Sequence, residues 1–235
     1  LCDGVQLIIE AVSERLEIKH GIFEQIERHV NEEVILASNT SAISITEIAE
    51  ALKHRERFLG THFWNPPHIL PCVEVIKGRE TVDPVMDLVY QFMKRLDKEP
   101  VRVNKDIPGF LGNRLQHAMW REAVSLAEKG IASAEDIDKV VKYGFGLRLP
   151  FVGPLETADL AGLDLSLDVH EYLFKYLNKS VEPSPLLRKK VQSGTLGVKT
   201  GQGFYEWSED RKQSVVENRD FVLLRILQEV LSVSH

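Results

Sequence analysis

Cysteine is nearly absent: Cys2 and Cys72 are the only two in 235 residues, and they form no CxxC pair. A disulfide framework is therefore excluded, no His/Cys cluster has the spacing of a structural zinc site, and a reducing, cytoplasmic setting without metal is expected. There is no run of about 18 apolar residues and no basic-then-apolar leader, so no membrane partner is expected. Positive charge is in deficit, with 29 Lys+Arg against 35 Asp+Glu and a net charge of -6. That balance lacks the basic surface a phosphate backbone requires, and nucleic acid is not expected as a partner. Internal repeats and low-complexity tracts are missing too. The one glycine-rich stretch, GTLGVKTGQGF from Gly194 to Phe204, follows no predicted strand and opens no helix, which argues against a phosphate loop.

What is present suits a soluble globular chain, 43% hydrophobic and 27% charged, with room for one large or two modest domains. Residues 5–9 read as a short buried strand and 34–37 as another. Between them Leu16, Phe23, Ile26 and Val30 recur at helical spacing. Ser44 and Glu47 have the capping-box spacing of a short helix, and 58–63 form the next strand. Residues 83–96 form a helix with Asp83 as N-cap and Pro84 at its first position, and 101–103 form a last strand. This alternation predicts an α/β fold, part of a doubly wound sheet. From Pro108 the period is helical: 111–129, 133–143 and 184–191 with Ser133 and Ser184 at their starts, 154–160, 164–177, and 210–231. The predicted domains are residues 1–106, a partial nucleotide-binding type sheet, and 107–235, all helical.

The candidate chemistry lies in GTHFWNPPHILPCVEVIK, Gly60 to Lys77. Pro66 and Pro67 force a turn between two strands, and neighbouring strands about 5 Å apart would set His62 beside Glu74. A carboxylate between Val73 and Val75 is costly unless hydrogen-bonded, and His62 is the nearest partner. In open α/β sheets ligands bind beyond the carboxyl ends of the strands, where Glu10 to Glu14, Ser38 to Ser41, His62 and Asn65 collect. Bland alternatives stand beside each reading: Ser41 capping the following helix, Asn113 in a cap or interdomain bond, Glu14 and Lys19 on a solvated helix face. His68 is a weaker base candidate than His62, and Glu156 reads as a helix-start carboxylate.

The segments IIEAVSERLEIK, ASNTSAISIT, FLGTHFWNPPHILPCVEVIK, DIPGFLGNRL, EKGIASAEDID, GFGLRLPFVGPLE and GVKTGQGFYEW together resemble the L-3-hydroxyacyl-CoA dehydrogenase family, in family order up to Trp207. HFWNPP and GPLETADLAGLD also resemble its lambda-crystallin-like branch of sugar-acid dehydrogenases. The resemblance implies a Rossmann-type NAD-binding sheet followed by a helical dimerisation domain, hence a homodimer. It implies His62 as catalytic base, Glu74 as its carboxylate partner, and Ser41 and Asn113 near the reacting oxygen. Ala11, Glu14, Lys19, Asn39, Ser41, Asn65 and Lys199 match positions around NAD. The expected substrate is a small molecule, an acyl-CoA or another hydroxy acid such as a sugar acid or a carnitine-like compound. A non-catalytic dimeric module is the alternative of a different class. The family's GxGxxG is not in this sequence, so the chain is expected to enter the fold past its first βαβ unit, about 70 to 100 residues on, and to bind NAD poorly by itself.

Overall fold

The computed structural model describes residues 4–233. Cys2 lies outside the described residues. A five-stranded sheet holds β1 (Leu7–Glu10), β2 (Ile35–Ser38), β3 (Phe58–Phe63), β4 (Cys72–Lys77) and β5 (Glu99–Val103) in sequential order. Strands β1, β2 and β3 are parallel, β4 runs antiparallel to β3, and β5 is parallel to β4. The fold is α/β as expected, and the proline turn makes the sheet mixed rather than uniformly parallel.

Alternating side chains of the strands feed two apolar layers. Leu36 and Phe58 pack with Phe23 of α1 (Leu16–Glu27) and with Ile45 and Ile48 of α2 (Ile45–Ala49). Ile35, Ala37, Leu59, Val73 and Val75 pack on the opposite face against Met86, Val89 and Met93 of α3 (Asp83–Arg95). Burial on both faces explains the near-continuous apolar strand runs. Ser44 caps α2, its hydroxyl accepting from Glu47 N at 3.2 Å. The cap of α3 differs from expectation: Val82 occupies the N-cap position, and Asp83, already inside the helix, pairs with Lys77. The last strand starts at Glu99, two residues earlier than its alternation suggested, because Pro100 is accommodated opposite Val73.

Helix α4 (Gly112–Glu128) runs out of the sheet region, and the chain divides into two compact units between His117 and Ala118. The second unit continues with α5 (Ala134–Tyr143), α6 (Pro154–Ala161), α7 (Leu163–Leu173), α8 (Pro185–Gln192) and α9 (Glu209–Val233). Ser133 and Ser184 cap α5 and α8 through their hydroxyls, as their positions predict. Helix α7 stops at Leu173, four residues short of the expected end. Gly194 to Phe204 contains a tight reversal in which Gly197 pairs with Gln202. A Cβ on Gly203 would lie 2.7 Å from the Gly197 Cα, so the two strands of the reversal meet glycine to glycine.

Candidate active site

The carboxyl ends of β1, β2 and β3 lie side by side, with Glu10 opposite Ser38 and Ser38 opposite Gly60 in the ladder. His62 and Glu74 are a register pair across the antiparallel β3 and β4. Their side chains meet at 2.8 Å, His62 Nδ1 to Glu74 Oε2, and both residues are buried, 5% and 2% exposed. The imidazole is walled by Trp64, edge-on at 5.1 Å between ring centres, and by Phe110 at 6.0 Å.

The second oxygen of Glu74 is also committed. Oε1 accepts from Leu111 N at 2.9 Å and Gly112 N at 3.0 Å, the opening backbone donors of α4. Presenting those donors requires a sharp entry: Gly109 and Phe110 both have positive φ, 77° and 50°. For Phe110 that conformation is costly, and it places a buried ring beside His62. Burial would raise the carboxyl pKa of Glu74, but the hydrogen bonds from His62, Gly112 and Leu111, with the charge of His62, hold it below the usual carboxylate value. An acceptor-only carboxylate thus faces three donors, with both of its oxygens engaged.

Ser41 is exposed in the loop after β2. It does not cap α2, a task taken by Ser44. Its backbone N–H donates to Glu14 Oε1 at 2.9 Å, and its carbonyl accepts from Asn113 Nδ2 at 2.6 Å. Asn113 therefore ties the first turn of α4 to the Ser41 loop. Glu14 Oε1 also accepts from the Thr40 hydroxyl at 2.6 Å and Ala42 N at 3.0 Å. Burial pushes Glu14 up, yet the bonds from Thr40, Ala42 and Ser41 and the charge of Lys19 hold its carboxyl below the ordinary value.

Lys19 is the residue the solvated-face reading gets wrong. It is 0% exposed, and its Nζ lies 2.9 Å from Glu10 Oε1 and 3.4 Å from Glu14 Oε2. Glu10, 4% exposed, also accepts from Val12 N and, at 2.6 Å, from the Ser38 hydroxyl. Sequence reading grouped Glu10 with a polar loop and missed it as the hub of this cluster. The signal was available: Leu16, Lys19, Phe23, Ile26 and Val30 share one helical stripe, so Lys19 had to lie on the buried face.

Asn39 joins strand ends instead of pointing out, its Oδ1 accepting from Phe63 N at 2.9 Å. Ala11 and Asn65 are exposed on the loops that follow β1 and β3. Lys199 is exposed within the second unit. His68 is exposed in the proline turn, and Glu156 accepts from Gly153 N at 2.7 Å at the start of α6, the helix-start role expected of it. Among the described residues no cluster of His, Cys, Asp and Glu could hold a metal ion, and no helix is long and apolar enough to cross a membrane.

Family models match nearly the whole of this arrangement: the 3-hydroxyacyl-CoA dehydrogenase NAD binding domain over residues 1–107 and the C-terminal domain over 109–207. The chain belongs to the 3-hydroxyacyl-CoA dehydrogenase family. A probable 3-hydroxybutyryl-CoA dehydrogenase of Deinococcus radiodurans is 42% identical over 207 residues, 88% of this chain and 72% of that protein. A 5-formyl-3-hydroxy-2-methylpyridine 4-carboxylate 5-dehydrogenase of Mesorhizobium japonicum is 34% identical over 216 residues, 92% of this chain and 70% of that protein. Among solved structures, a 5-formyl-3-hydroxy-2-methylpyridine 4-carboxylic acid 5-dehydrogenase, an NAD+-dependent dismutase, superposes with a TM-score of 0.95 at 32% identity, covering 97% of this chain and 74% of that one. As a member of this dehydrogenase family the protein is an NAD-dependent oxidoreductase of the hydroxyacyl type. The residues present fit the nicotinamide end of NAD: small or polar exposed groups, Ala11, Ser41 and Asn65, follow the three parallel strands beside a buried imidazole. Lys19 is enclosed by the carboxylates of Glu10 and Glu14.

Proposed function

We propose that the protein oxidises the 3-hydroxyl of a 3-hydroxyacyl-CoA to the 3-oxo compound, a reaction of the fatty acid beta-oxidation type, with His62 as general base. The single observation that carries this is the buried 2.8 Å bond between His62 Nδ1 and Glu74 Oε2. A carboxylate on Nδ1 favours the tautomer with its proton there, leaving Nε2 as the basic nitrogen, and stabilises the imidazolium formed when the alcohol proton arrives. NAD, when bound, supplies the hydride acceptor. The Ser41 hydroxyl and the Asn113 amide would hydrogen-bond the substrate oxygen as it becomes a carbonyl, each well-placed donor worth roughly 2–4 kcal/mol.

The test is turnover of 3-hydroxybutyryl-CoA by the full-length enzyme against free 3-hydroxy acids, with His62→Gln alongside. A loss of roughly a hundredfold or more in kcat with NAD affinity nearly unchanged supports the assignment, and unchanged turnover removes His62 from the reaction. A second reading is favoured by the 0.95 superposition on an enzyme named for a pyridine carboxylate rather than a CoA ester. On that reading the substrate is a hydroxy acid or alcohol without CoA, and kcat/KM for the free acids would exceed that for the CoA ester.

The second unit supports pairing with another copy. No residue of α5, α6, α7 or α8 is buried, and Leu155, Leu160 and Val181 are 82%, 78% and 95% exposed. Helices of this kind need an apolar face covered to be stable, and a symmetric homodimer would do it. Light scattering on dilution that gave a monomer at micromolar concentration would refute the pairing.

A further inference from the structure

We propose that Glu10 is a positioning residue for Ser41, acting through Lys19 and Glu14. This rests on the reading of Ser41 as the hydroxyl that meets the reacting oxygen. Glu10 is anchored from three sides at the end of β1: Val12 N and Lys19 Nζ on Oε1, and the Ser38 hydroxyl on Oε2, which Lys19 also reaches at 3.2 Å. The ammonium of Lys19, wholly enclosed, then bridges 3.4 Å to Oε2 of Glu14. Glu14 is different in kind, because its side chain is 41% exposed and has no anchor in the sheet. A solvated glutamate spreads over many rotamers, and restricting it has an entropic cost. The buried cation restricts this one, and the fixed carboxylate gathers Thr40 Oγ1, Ser41 N and Ala42 N onto its other oxygen.

The consequence falls on Ser41. Its N–H is taken by Glu14 and its carbonyl by Asn113, so this exposed serine carries its hydroxyl on a backbone held at both ends. A buried ion pair kept only for stability would not need its cation shared with a surface carboxylate whose three donors all come from residues 40–42.

Four variants of the full-length enzyme test this. Glu10→Gln removes the anchor's charge and is expected to lower kcat about ten- to a hundredfold, the cost of a misplaced group. Amide hydrogen exchange at Ser41 and Ala42 should quicken. Glu10→Gln combined with Lys19→Met removes the buried charges together, so the melting temperature should recover while kcat stays low; this pair also serves if Glu10→Gln alone fails to fold. Glu10→Gln added to Ser41→Ala should cost no further activity, since both act at one group. Recovery of kcat along with the melting temperature, or multiplicative losses in the Ser41 background, would overturn the positioning role. Ser41→Ala with undiminished turnover would instead sink the part given to Ser41, and the proposal with it.

Discussion

Replacing Glu74 by glutamine tests the site most sharply, because the surroundings dictate how the new amide must lie. Leu111 N and Gly112 N both point at one oxygen, at 2.9 and 3.0 Å, and His62 Nδ1 faces the other at 2.8 Å. If the glutamine turned its NH2 toward the two backbone donors, three N–H groups would converge with no acceptor, at a penalty of about 1–3 kcal/mol for each buried group left unsatisfied. The amide oxygen therefore goes to Leu111 and Gly112, and its NH2 faces the imidazole. Nδ1 must then accept, which moves the ring proton to Nε2, the nitrogen that should take the alcohol proton. The fold survives with a stability loss of about 1–3 kcal/mol, the difference between charged and neutral hydrogen bonds. Catalysis does not: the wrong tautomer should lower kcat by about 10²–10⁴, some 3–5 kcal/mol of barrier. Steady-state turnover of the full-length enzyme, thermal melting, and nitrogen NMR of the His62 ring together read the three quantities. Turnover within about threefold of the parent, or a proton still on Nδ1, would refute the tautomer argument.

Further outcomes follow from the same geometry. Gly112→Ala would ordinarily favour a helix by about 1 kcal/mol, but the new Cβ would lie 2.1 Å from the rigid Trp64 ring, so melting should instead show a net loss of about 1–3 kcal/mol. Combining His62→Gln with Glu74→Gln should cost little more turnover than the worse single change, because both act on one proton transfer, and independent losses in a double-mutant cycle would contradict that. Glu14, Glu27 and Glu74 all have carboxyls held below their ordinary values; in Glu27 burial opposes the shift and bonds from Lys53, His54 and Arg57 bring it about. Their stabilisation is complete above about pH 4.3, where the unfolded carboxyls are ionised, and is lost as pH falls through the depressed folded values. Melts at stepwise lower pH should show a steep acid limb that flattens in Glu74→Gln.

The sheet and its rim were legible because they rest on local chemistry. The apolar runs, the Ser44 cap, and the Pro66 and Pro67 break together located β2, α2 and the β3–β4 turn, and the cost of burying Glu74 beside His62 pointed to their bond. What stayed hidden depended on long-range partners. Nothing local marks Leu111 N and Gly112 N as donors to a carboxylate 37 and 38 residues earlier. Lys19 escapes a solvated-face reading because a lysine on an apolar stripe is sustained only by acids from elsewhere, here Glu10 and Glu14. Asp83 lies one position inside the helix rather than at its cap, because either of two residues can begin a helix before proline and the Asp83 carboxylate pairs with Lys77.

The reversal of β4 has an implication for how this protein could be altered. Since His62 faces Glu74 through the ladder of two antiparallel strands, their spacing is fixed by backbone pairing and owes little to the connection between them. The exposed Pro67 and His68 of that connection, ahead of the buried Ile69, are therefore a place where the chain could be lengthened, or even cut and rejoined elsewhere, with the proton-transfer pair left intact, whereas a one-residue slip of either strand would send the two side chains to opposite sides of the sheet.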